Sequence, residues 1–517
     1  MKNIILVGLL LTLPFIGGAQ TIGYSESHET SIKKMQSPTR LFKMVDGDPV
    51  ITLSSQKGMK TVKSMIRKLD GSTEASDFGV PYKDTYSYTF WHMNGTNYRL
   101  MLSKEKETRS LHERIVTYSD DGKPLDLIHD DKVDYKSKDD FPSMNTVLAP
   151  DSSYAAVFRY VDDNSKKAAL TLHFTLFDAN MKKVHSASWL PKGKKSQQMN
   201  HVLNYAVGTD GSTYILVKEY MDKYKEARKK GKEAVSNYKL SVLKYSKEGQ
   251  LTTHDLKIDD NFSSTYSMLF FEDGTPVVIT NMCSSGFGDA SAIGFRFYIW
   301  DDASDSYSAH SHEWSADEIA EFGNWRKSKV PGLRPNFDIC TTKAHGDKIT
   351  FLTENRWREW RSNGNTKYEV LEVGCAFAMT FDKSGTKTDH LFVPKQIEMQ
   401  RSIPSPILHM VGDRPIVIYN DDKKNFKKSI PELRERLQKV KKYRITGNTI
   451  LAAAYADNNG ELIIEMVPDT KGFYLVDKHG ISTTESQCSA LVVHDFSLLK
   501  KTKVVLATFD FSDIDFN

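Results

Sequence analysis

Few of the chemistry-bearing side chains in this 517-residue chain stand at a spacing that suggests a site. His310 and His312 alternate along a predicted strand, so their rings could offer two metal ligands on one face, beside Glu313. No third ligand is identifiable. The acidic pairs Asp120-Asp121 and Asp162-Asp163 fall at predicted turns, where short polar side chains bond the backbone. These patterns predict no metal site and no cofactor.

Catalytic motifs are also missing from the sequence. It contains no G-x-S-x-G nucleophile elbow, no H-E-x-x-H zinc motif, no P-loop and no supported S-x-x-K pair. Paired carboxylates for glycoside hydrolysis would have to meet in space from distant segments. We therefore predict no catalytic residue, and an enzyme is the less favoured alternative.

Tryptophan and arginine are concentrated in two segments. One is the run Trp357-Arg358-Glu359-Trp360-Arg361, and the other carries Trp325-Arg326. These residue types are enriched at binding hot spots, because a large flat side chain buries much area at little entropic cost. We predict partner-binding roles for Trp325, Arg326, Trp357, Arg358, Trp360 and Arg361. The structural alternative is that the aromatic rings fasten a loop to its own scaffold.

Two charged segments are predicted to be short helices. Ile430–Tyr443 has Pro431 in its first turn and an apolar stripe at helical spacing. The stripe consists of Leu433, Leu437 and Val440. Its basic tail includes Lys439 and Lys442, which we predict to contact an acidic partner; a solvated helix packed by its stripe is the alternative. The second segment, Met221–Val235, alternates basic residues with glutamate.

The elements that must position these residues are β-strands. Residues 201–258 contain four strand-like runs, joined by two short turns and one charged insertion; the runs are Val202–Val207, Tyr214–Lys218, Lys239–Tyr245 and Leu251–Ile258. Similar four-strand units recur along most of the chain, each with a Gly- or Asp-containing turn in its first hairpin. A four-stranded sheet repeated at a loose period resembles a β-propeller. That resemblance covers residues 40–511 and implies an all-β fold with short helical insertions.

Seven four-stranded blades fit the sequence best, and eight is the alternative. The count depends on whether two late hairpins, Ile450–Met466 and Ala490–Phe509, belong to separate blades. We expect Val504–Phe511 to complete a blade begun by the N-terminal region, because closure removes the exposed edges of a row of sheets.

The long insertions fall in loops that share one end of the blades. Antiparallel order brings the loop between strands two and three to the same face as the connection between blades. The insertions predicted on this face are Glu219–Asn237, Cys283–Ile293, Ser315–Arg334, Asn355–Lys367 and Asp421–Thr446. Function tends to lie on long loops carried by a rigid scaffold.

The first residues have the pattern of a secretory signal. Lys2 is followed by the apolar stretch Ile4–Ile16 and the small residues Gly17-Gly18-Ala19, which resembles the signals of secreted Bacteroidota proteins. We predict a signal peptide over residues 1–19, a lead-in over 20–39 and a tail over 512–517, with a periplasmic or extracellular location. No other apolar run is long enough to span a bilayer, so no membrane insertion is expected.

Charge and cysteine content narrow the choice of partner. The formal net charge of +4 is small and dispersed, which does not favour a nucleic-acid partner. Cys283, Cys340, Cys375 and Cys488 allow three pairings and match no zinc spacing, so we expect structural cysteines, buried or bridged. We predict a non-catalytic exported scaffold that binds a protein partner in the cell envelope, the role that an accessory of an envelope or secretion machine would have. A glycan-binding or glycan-processing propeller is the alternative.

Overall fold

The computed structural model describes most of the chain. Its described residues are 22–32, 37–43, 49–57, 60–68, 76–77, 85–105, 110–119, 124–133, 143–161, 171–190, 200–221, 227–230, 233–258, 262–284, 292–321, 337–363, 366–395, 397–399, 406–436, 449–475, 481–482, 484–494 and 502–514. The predicted signal peptide therefore lies outside them.

The strands of the first half form four sheets in chain order, which we call blades 1 to 4. An N-terminal strand, β1 (Gly23–Ile32), precedes them. Blade 1 consists of β2 (Ser37–Lys43), β3 (Pro49–Lys57), β4 (Lys60–Lys68) and β5 (Ser76–Asp77). Blade 2 consists of β6 (Thr85–Met93), β7 (Thr96–Glu105), β8 (Ser110–Tyr118) and β9 (Pro124–Val133). Blade 3 consists of β10 (Ser143–Leu148), β11 (Tyr154–Val161), β12 (Thr171–Asp178) and β13 (Lys183–Trp189). Blade 4 consists of β14 (Asn200–Val207), β15 (Thr213–Tyr220), β18 (Tyr238–Tyr245) and β19 (Leu251–Leu256), with the ribbon β16 (Ala227–Lys230) and β17 (Glu233–Ser236) inserted.

The second half forms blades 5 to 8 and carries two short helices. Blade 5 consists of β20 (Tyr266–Phe270), β21 (Pro276–Cys283), β22 (Ala292–Asp301) and β23 (Ser306–Glu313), followed by helix α1 (Ala316–Glu321). Blade 6 consists of β24 (Phe337–His345), β25 (Lys348–Asn363), β26 (Thr366–Asp382) and β27 (Lys387–Val393), with β28 (Ile397–Met399) added to β26. Blade 7 consists of β29 (Ile407–Val411), β30 (Arg414–Asp422), β31 (Thr449–Ala456) and β32 (Leu462–Met466), with a 3-10 helix (Lys423–Lys427) and helix α2 (Ile430–Arg436) after β30. Blade 8 consists of β33 (Phe473–Leu475), β35 (Gln487–His494), β36 (Thr502–Asp510) and β1, with β34 (Ile481–Ser482) beside β35.

These sheets are the blades of a β-propeller, as the sequence predicts. Every pairing within a blade is antiparallel, and the first strand of each blade from 1 to 6 contacts the first strand of the next. The described residues form eight such sheets rather than the preferred seven, because the two late hairpins belong to separate blades 7 and 8. Blade number was the open alternative, and the order of sheet pairing decides it.

The N-terminal strand closes the ring. β1 pairs antiparallel with β36 from Gly23↔Asp510 to Ile32↔Thr502 and forms the outer strand of blade 8. The predicted pairing of the C-terminal segment with the N-terminal region is therefore present, but it is the N-terminal strand that completes a blade of C-terminal strands. The closing strand itself lies in the region predicted as a lead-in.

The hydrophobic core is divided into layers between neighbouring blades. Six buried clusters fill the layers from blades 2/3 to blades 7/8. Successive residues of the second strand of a blade pack into the core layers on its two opposite faces. Val277 packs toward blade 6 and Val278 toward blade 4, and both are fully buried. Second strands therefore read as continuous apolar runs, whereas the outer strand β23 alternates between half-buried and exposed positions.

A recurrent turn joins the third and fourth strands of several blades. The turn begins with a side-chain oxygen that accepts hydrogen bonds from the backbone N–H groups two and four residues later. A carboxylate oxygen does this in Asp178, Asp382 and Asp457, and the hydroxyl does it in Ser246. The residue three positions after each has positive φ, and it is a glycine in three of the four turns. In the sequence, each of these turns begins with an aromatic or alanine residue followed by Asp or Ser. The repeat lies at the end of the third strand, so a comparison of the first hairpins of the units does not reveal it.

One prediction about local structure needs correction, and one that left two alternatives is decided. Met221–Val235 is not a helix: its described part includes the ribbon β16–β17, in which Lys230 pairs with Glu233. The cysteines were expected to be buried or bridged, and Cys340, Cys375 and Cys488 are buried thiols, which is the first of those alternatives. Burial raises the pKa of the Cys488 thiol to about 12.

Candidate functional site

The elaborated face of the propeller carries most of the extra elements. Loops after second strands and connections between blades both emerge there, and they bear the β16–β17 ribbon, helix α1 and the segment containing helix α2. The largest described element on this face comes from blade 6. This element is an extension of the two central strands of the blade. The sequence predicts an insertion loop at Asn355–Lys367, so the predicted insertions need a second correction here.

This extension, which we call the arm, comprises Arg356–Asn363 of β25 and Thr366–Val373 of β26. The strands pair continuously from Arg356↔Val373 to Asn363↔Thr366 after an irregularity in register next to Glu354. Eight paired residues correspond to a length of about 25 Å at roughly 3.3 Å per residue. At the base, β28 adds to the β26 side through Leu371↔Met399 and Val373↔Ile397. The arm is therefore a β-ribbon continuous with its blade.

A buried charge cluster lies at the base of the arm. The Glu354 side chain is 0% exposed and accepts hydrogen bonds from Lys395 Nζ and, at 2.5 Å, from Arg356 Nη2. Lys395 is 1% exposed and follows the outer strand β27. Cys340, on the inner strand β24, has its Sγ 3.5 Å from Glu354 Oε2 and 3.7 Å from Arg356 Nη2. One carboxylate thus ties together the inner strand, the second strand and the segment after the outer strand.

Electrostatics keep this cluster charged. Burial disfavours the guanidinium, but the Glu354 carboxylate outweighs it and holds the pKa of Arg356 above its usual value. Burial, with the adjacent Glu354 charge, raises the pKa of the Cys340 thiol, so Cys340 stays protonated. A buried charge without its partner is costly, so the cluster favours one arrangement of the arm base.

Helix α1 is fixed to blades 5 and 6 by a second set of polar contacts. Ser315 and Glu318 form a capping box, with Ser315 N–H donating to Glu318 Oε2 at 2.8 Å and Glu318 N–H donating to Ser315 Oγ at 3.1 Å. Glu318 also lies 2.9 Å from His312 Nε2 and 2.5 Å from Lys387 Nζ. The preceding Trp314 is buried against Phe295 and Phe377. His312, considered above as a metal ligand, is thus part of a helix anchor.

The pKa values in this anchor follow from its contacts. Burial alone would raise the pKa of Glu318, but Lys387, the Ser315 N–H and His312 lower it to about 2. Burial lowers the pKa of His312 and outweighs the attraction of Glu318. No group of three or more His, Cys, Asp or Glu side chains in the described part of the chain is arranged to hold a metal ion.

The predicted partner-binding residues divide into two groups. Trp357, Arg358, Trp360 and Arg361 lie on the arm, where they pair with Glu372, Leu371, Glu369 and Tyr368. Trp325, Arg326, Lys439 and Lys442 lie outside the described residues. The helix predicted to carry the last two begins as expected at Ile430, with a Ser429–Glu432 capping box and a buried Leu433.

Sequence reasoning missed the residues that hold the arm. Glu354 and Lys395 are separated by 41 positions, and neither stands in a recognisable motif. The one available signal is a glutamate in a second strand, at a position where both faces of the strand are buried.

Comparison with known proteins supplies no family. No protein-family model matches the chain, and no curated protein matches it. Among solved structures it is similar to a prolyl endopeptidase (9% identity, 89% of this chain, 54% of that chain, TM-score 0.39). It is also similar to the WD40 domain of SCAP from fission yeast (8% identity, 96% and 100%, TM-score 0.36) and to Synechocystis apocarotenoid oxygenase (8%, 95% and 93%, TM-score 0.32).

The chain spans about half the length of the prolyl peptidase structures that it matches. Among the helices in the described ranges, none combines the length and apolar character that a membrane span requires.

Proposed function

We propose that this protein is an exported propeller scaffold that binds a protein partner in the cell envelope through its elaborated face, with the arm as the principal contact. The observation that carries the proposal is the arm itself, a β-ribbon that leaves the blade and is anchored by a buried charge cluster. A ribbon held at its base costs little conformational entropy when it docks, which favours affinity.

The backbone edge of the arm suggests how a partner would bind. β24 pairs with β25 only as far as Phe337↔Asn355, and the described residues supply no strand beside Trp357–Asn363 on that side. On the other side, β28 already pairs with β26 at the base. An extended segment of a partner could add to the ribbon by main-chain hydrogen bonds, with the Trp- and Arg-rich composition supplying side-chain contacts.

The test is affinity capture with a matched pair of variants. The wild-type chain, the double variant Trp357→Ala/Trp360→Ala and the control Trp300→Ala are each used to capture proteins from envelope extracts of the host. Trp300 lies at the end of β22 on the opposite face, near Asp302 and Tyr307, so its removal tests tryptophan loss away from the arm.

The expected result is a stoichiometric protein that the wild type and Trp300→Ala retain and the arm variant loses. That protein is then purified, and its binding to the three chains is measured by calorimetry. Equal binding by all three chains contradicts the role of the arm. A wild type that captures no protein but binds polysaccharides on an array favours the glycan alternative.

The location belongs to the same proposal and is tested separately. We expect the chain purified from its host to begin at Gln20, as removal of a signal over residues 1–19 requires. Intact-mass measurement and fractionation of the envelope check this. An unprocessed chain in the cytoplasm would contradict an envelope role.

A further inference from the structure

A second group of chemistry-bearing side chains lies on blade 2, four blades away from the arm. Ser110 begins β8, His112 follows two residues later, and Asp130 lies on the neighbouring outer strand β9. Arg114 pairs with Asp130 in the register, and strand alternation puts Ser110, His112 and Arg114 on one face. Asp130 therefore meets His112 diagonally across the two strands.

The hydrogen bonds run in a fixed order from Ser110 to Asp130. His112 Nδ1 lies 2.6 Å from Asp130 Oδ1, and His112 Nε2 lies 3.0 Å from Ser110 Oγ. An ionised carboxylate can only accept, so Nδ1 carries a proton, and in the neutral ring Nε2 can then accept from the Ser110 hydroxyl. Nucleophile, base and orienting carboxylate follow one another as they do in serine hydrolases.

Neighbouring groups hold this array in its active form. Arg114 donates from Nε to Asp130 Oδ2 at 2.9 Å and from Nη1 to Ser103 Oγ at 2.7 Å. Burial alone would raise the pKa of Asp130, but the hydrogen bonds from His112 and Arg114 outweigh it and keep that pKa below its usual value. Asp130 is therefore ionised at neutral pH and can support a charged His112.

A second carboxylate borders the nucleophile and constrains its substrates. The Ser110 hydroxyl has Glu105 Oε2 as a second, longer acceptor at 3.5 Å, and the same oxygen lies 3.4 Å from His112 Nε2. A negative charge at this distance stabilises the imidazolium that forms when Ser110 is deprotonated, and it repels an anionic substrate. The surroundings thus favour neutral or cationic acyl compounds.

We propose that Ser110 is a nucleophile, activated by His112 and Asp130, that transfers the acyl group of neutral or cationic esters to water. Ser110 Oγ bonds to the ester carbonyl carbon while its proton passes to His112 Nε2. The alcohol departs with that proton and leaves an acyl-serine. Water then attacks the acyl carbon, gives its proton to His112 and releases the acid as the proton returns to Ser110.

The test uses a neutral fluorophosphonate probe on the full chain, read by intact mass and peptide mapping. We expect one adduct on Ser110 with loss of fluoride, no adduct in Ser110→Ala, and labelling slowed about 100-fold or more in His112→Gln and Asp130→Asn. Ser241 is the matched control, since it occupies a third strand and bonds Asp255 of the outer strand at 2.7 Å. Ser241→Ala should leave the rate unchanged.

Two outcomes overturn the proposal. One is labelling of Ser110 no faster than that of Ser241. The other is labelling of Ser110 that His112→Gln and Asp130→Asn leave unchanged, which would mean that Ser110, a 5% exposed residue, reacts without activation by either group.

If a variant fails to fold, the wild type supplies the readout. Its labelling should fall at acidic pH, because a protonated imidazole cannot take the Ser110 proton, and it should be slower with an anionic ester probe than with a neutral one. A flat pH profile contradicts the mechanism. Hydrolysis of p-nitrophenyl acetate, abolished in Ser110→Ala, extends the test to turnover.

Discussion

The carboxylate of Glu354 lies between two cations and a thiol in a fully buried site. The contribution of Glu354 to stability depends on these partners, because the carboxylate and the cations offset the cost of each other's desolvation. The cluster also joins three segments that are distant in sequence, so it acts on the tertiary arrangement of blade 6 rather than on any one strand.

Replacing Glu354 should therefore be among the most damaging single changes on the elaborated face. We expect Glu354→Gln to lower the free energy of unfolding by about 3–5 kcal/mol, since it leaves Lys395 buried without a countercharge. Chemical denaturation of purified chains measures this. Glu248→Gln, in an exposed turn of blade 4, is the control and should change stability little. A loss of under about 1 kcal/mol for Glu354→Gln would mean that water screens the cluster.

Glu318 gives the anchor of helix α1 a defined pH dependence. Its pKa in the folded chain is about 2, below the ordinary value of 4.5, so its stabilising contribution is complete above pH 4.5 and is lost as the pH falls toward 2. His312 acts in the same direction, because its lowered pKa means that the folded chain prefers the neutral ring.

The difference in stability between wild type and Glu318→Gln should therefore depend on pH. We expect the difference to be about 1–3 kcal/mol at pH 6 and to shrink as the pH falls from 4.5 toward 2, measured by thermal melts across this range. A difference that stays constant with pH would show that Glu318 acts through packing alone.

At the scale of elements, the arm is a β-ribbon whose removal leaves the pairings among the four main strands of blade 6 intact and takes away two of the three β26–β28 pairs. The body of blade 6 is held by pairs such as Glu354↔Ala376 and Lys348↔Asp382, which lie outside the arm. The charge cluster at the base also survives if the chain is cut beyond Arg356.

Deleting residues 357–372 and joining Arg356 to Val373 through a short glycine turn should preserve folding. We expect the melting temperature to change by only a few degrees and partner binding to be lost. Deleting the β16–β17 ribbon, residues 227–236, is the matched control and should leave partner binding in place. An insoluble arm deletion would show that the arm stabilises the propeller, and a soluble one that still binds would move the interface elsewhere.

The two predicted helices show why local pattern fails for charged insertions. Ile430–Arg436 is a helix because Pro431, the Ser429–Glu432 capping box and the buried Leu433 act together. Met221–Val235 lacks a capping motif and an apolar stripe in its sequence, and its described part pairs as a ribbon. Alternating charges are compatible with either structure, so the choice depends on hydrogen-bond partners that the pattern does not specify.

At the scale of the whole molecule, closure of the ring depends on β1. The strand pairs with β36 over most of its length, and without it the outer edge of blade 8 would be exposed. Because blade 8 packs on blade 7 through a shared core that includes Ile22, loss of β1 also opens that layer.

A chain that starts after residue 32 should be less stable and should aggregate. We expect the melting temperature to fall by several degrees, with larger particles by light scattering. A synthetic peptide of residues 22–32 should restore the monomer, while a peptide of the same composition in scrambled order should not. If the truncated chain is as stable as the full one, the closing strand is dispensable.

The sequence by itself determined the class of fold, because the alternation of apolar residues and the repeated turns are local signals that each blade carries. It also indicated the face that bears the insertions, since antiparallel order fixes which loops share an end. The tertiary structure decided what depends on distant pairs: the eight blades, the closure by β1, the Glu354–Lys395 cluster and the alignment of Ser110, His112 and Asp130. The register between strands brings those residues together, and no short stretch of sequence encodes that register alone.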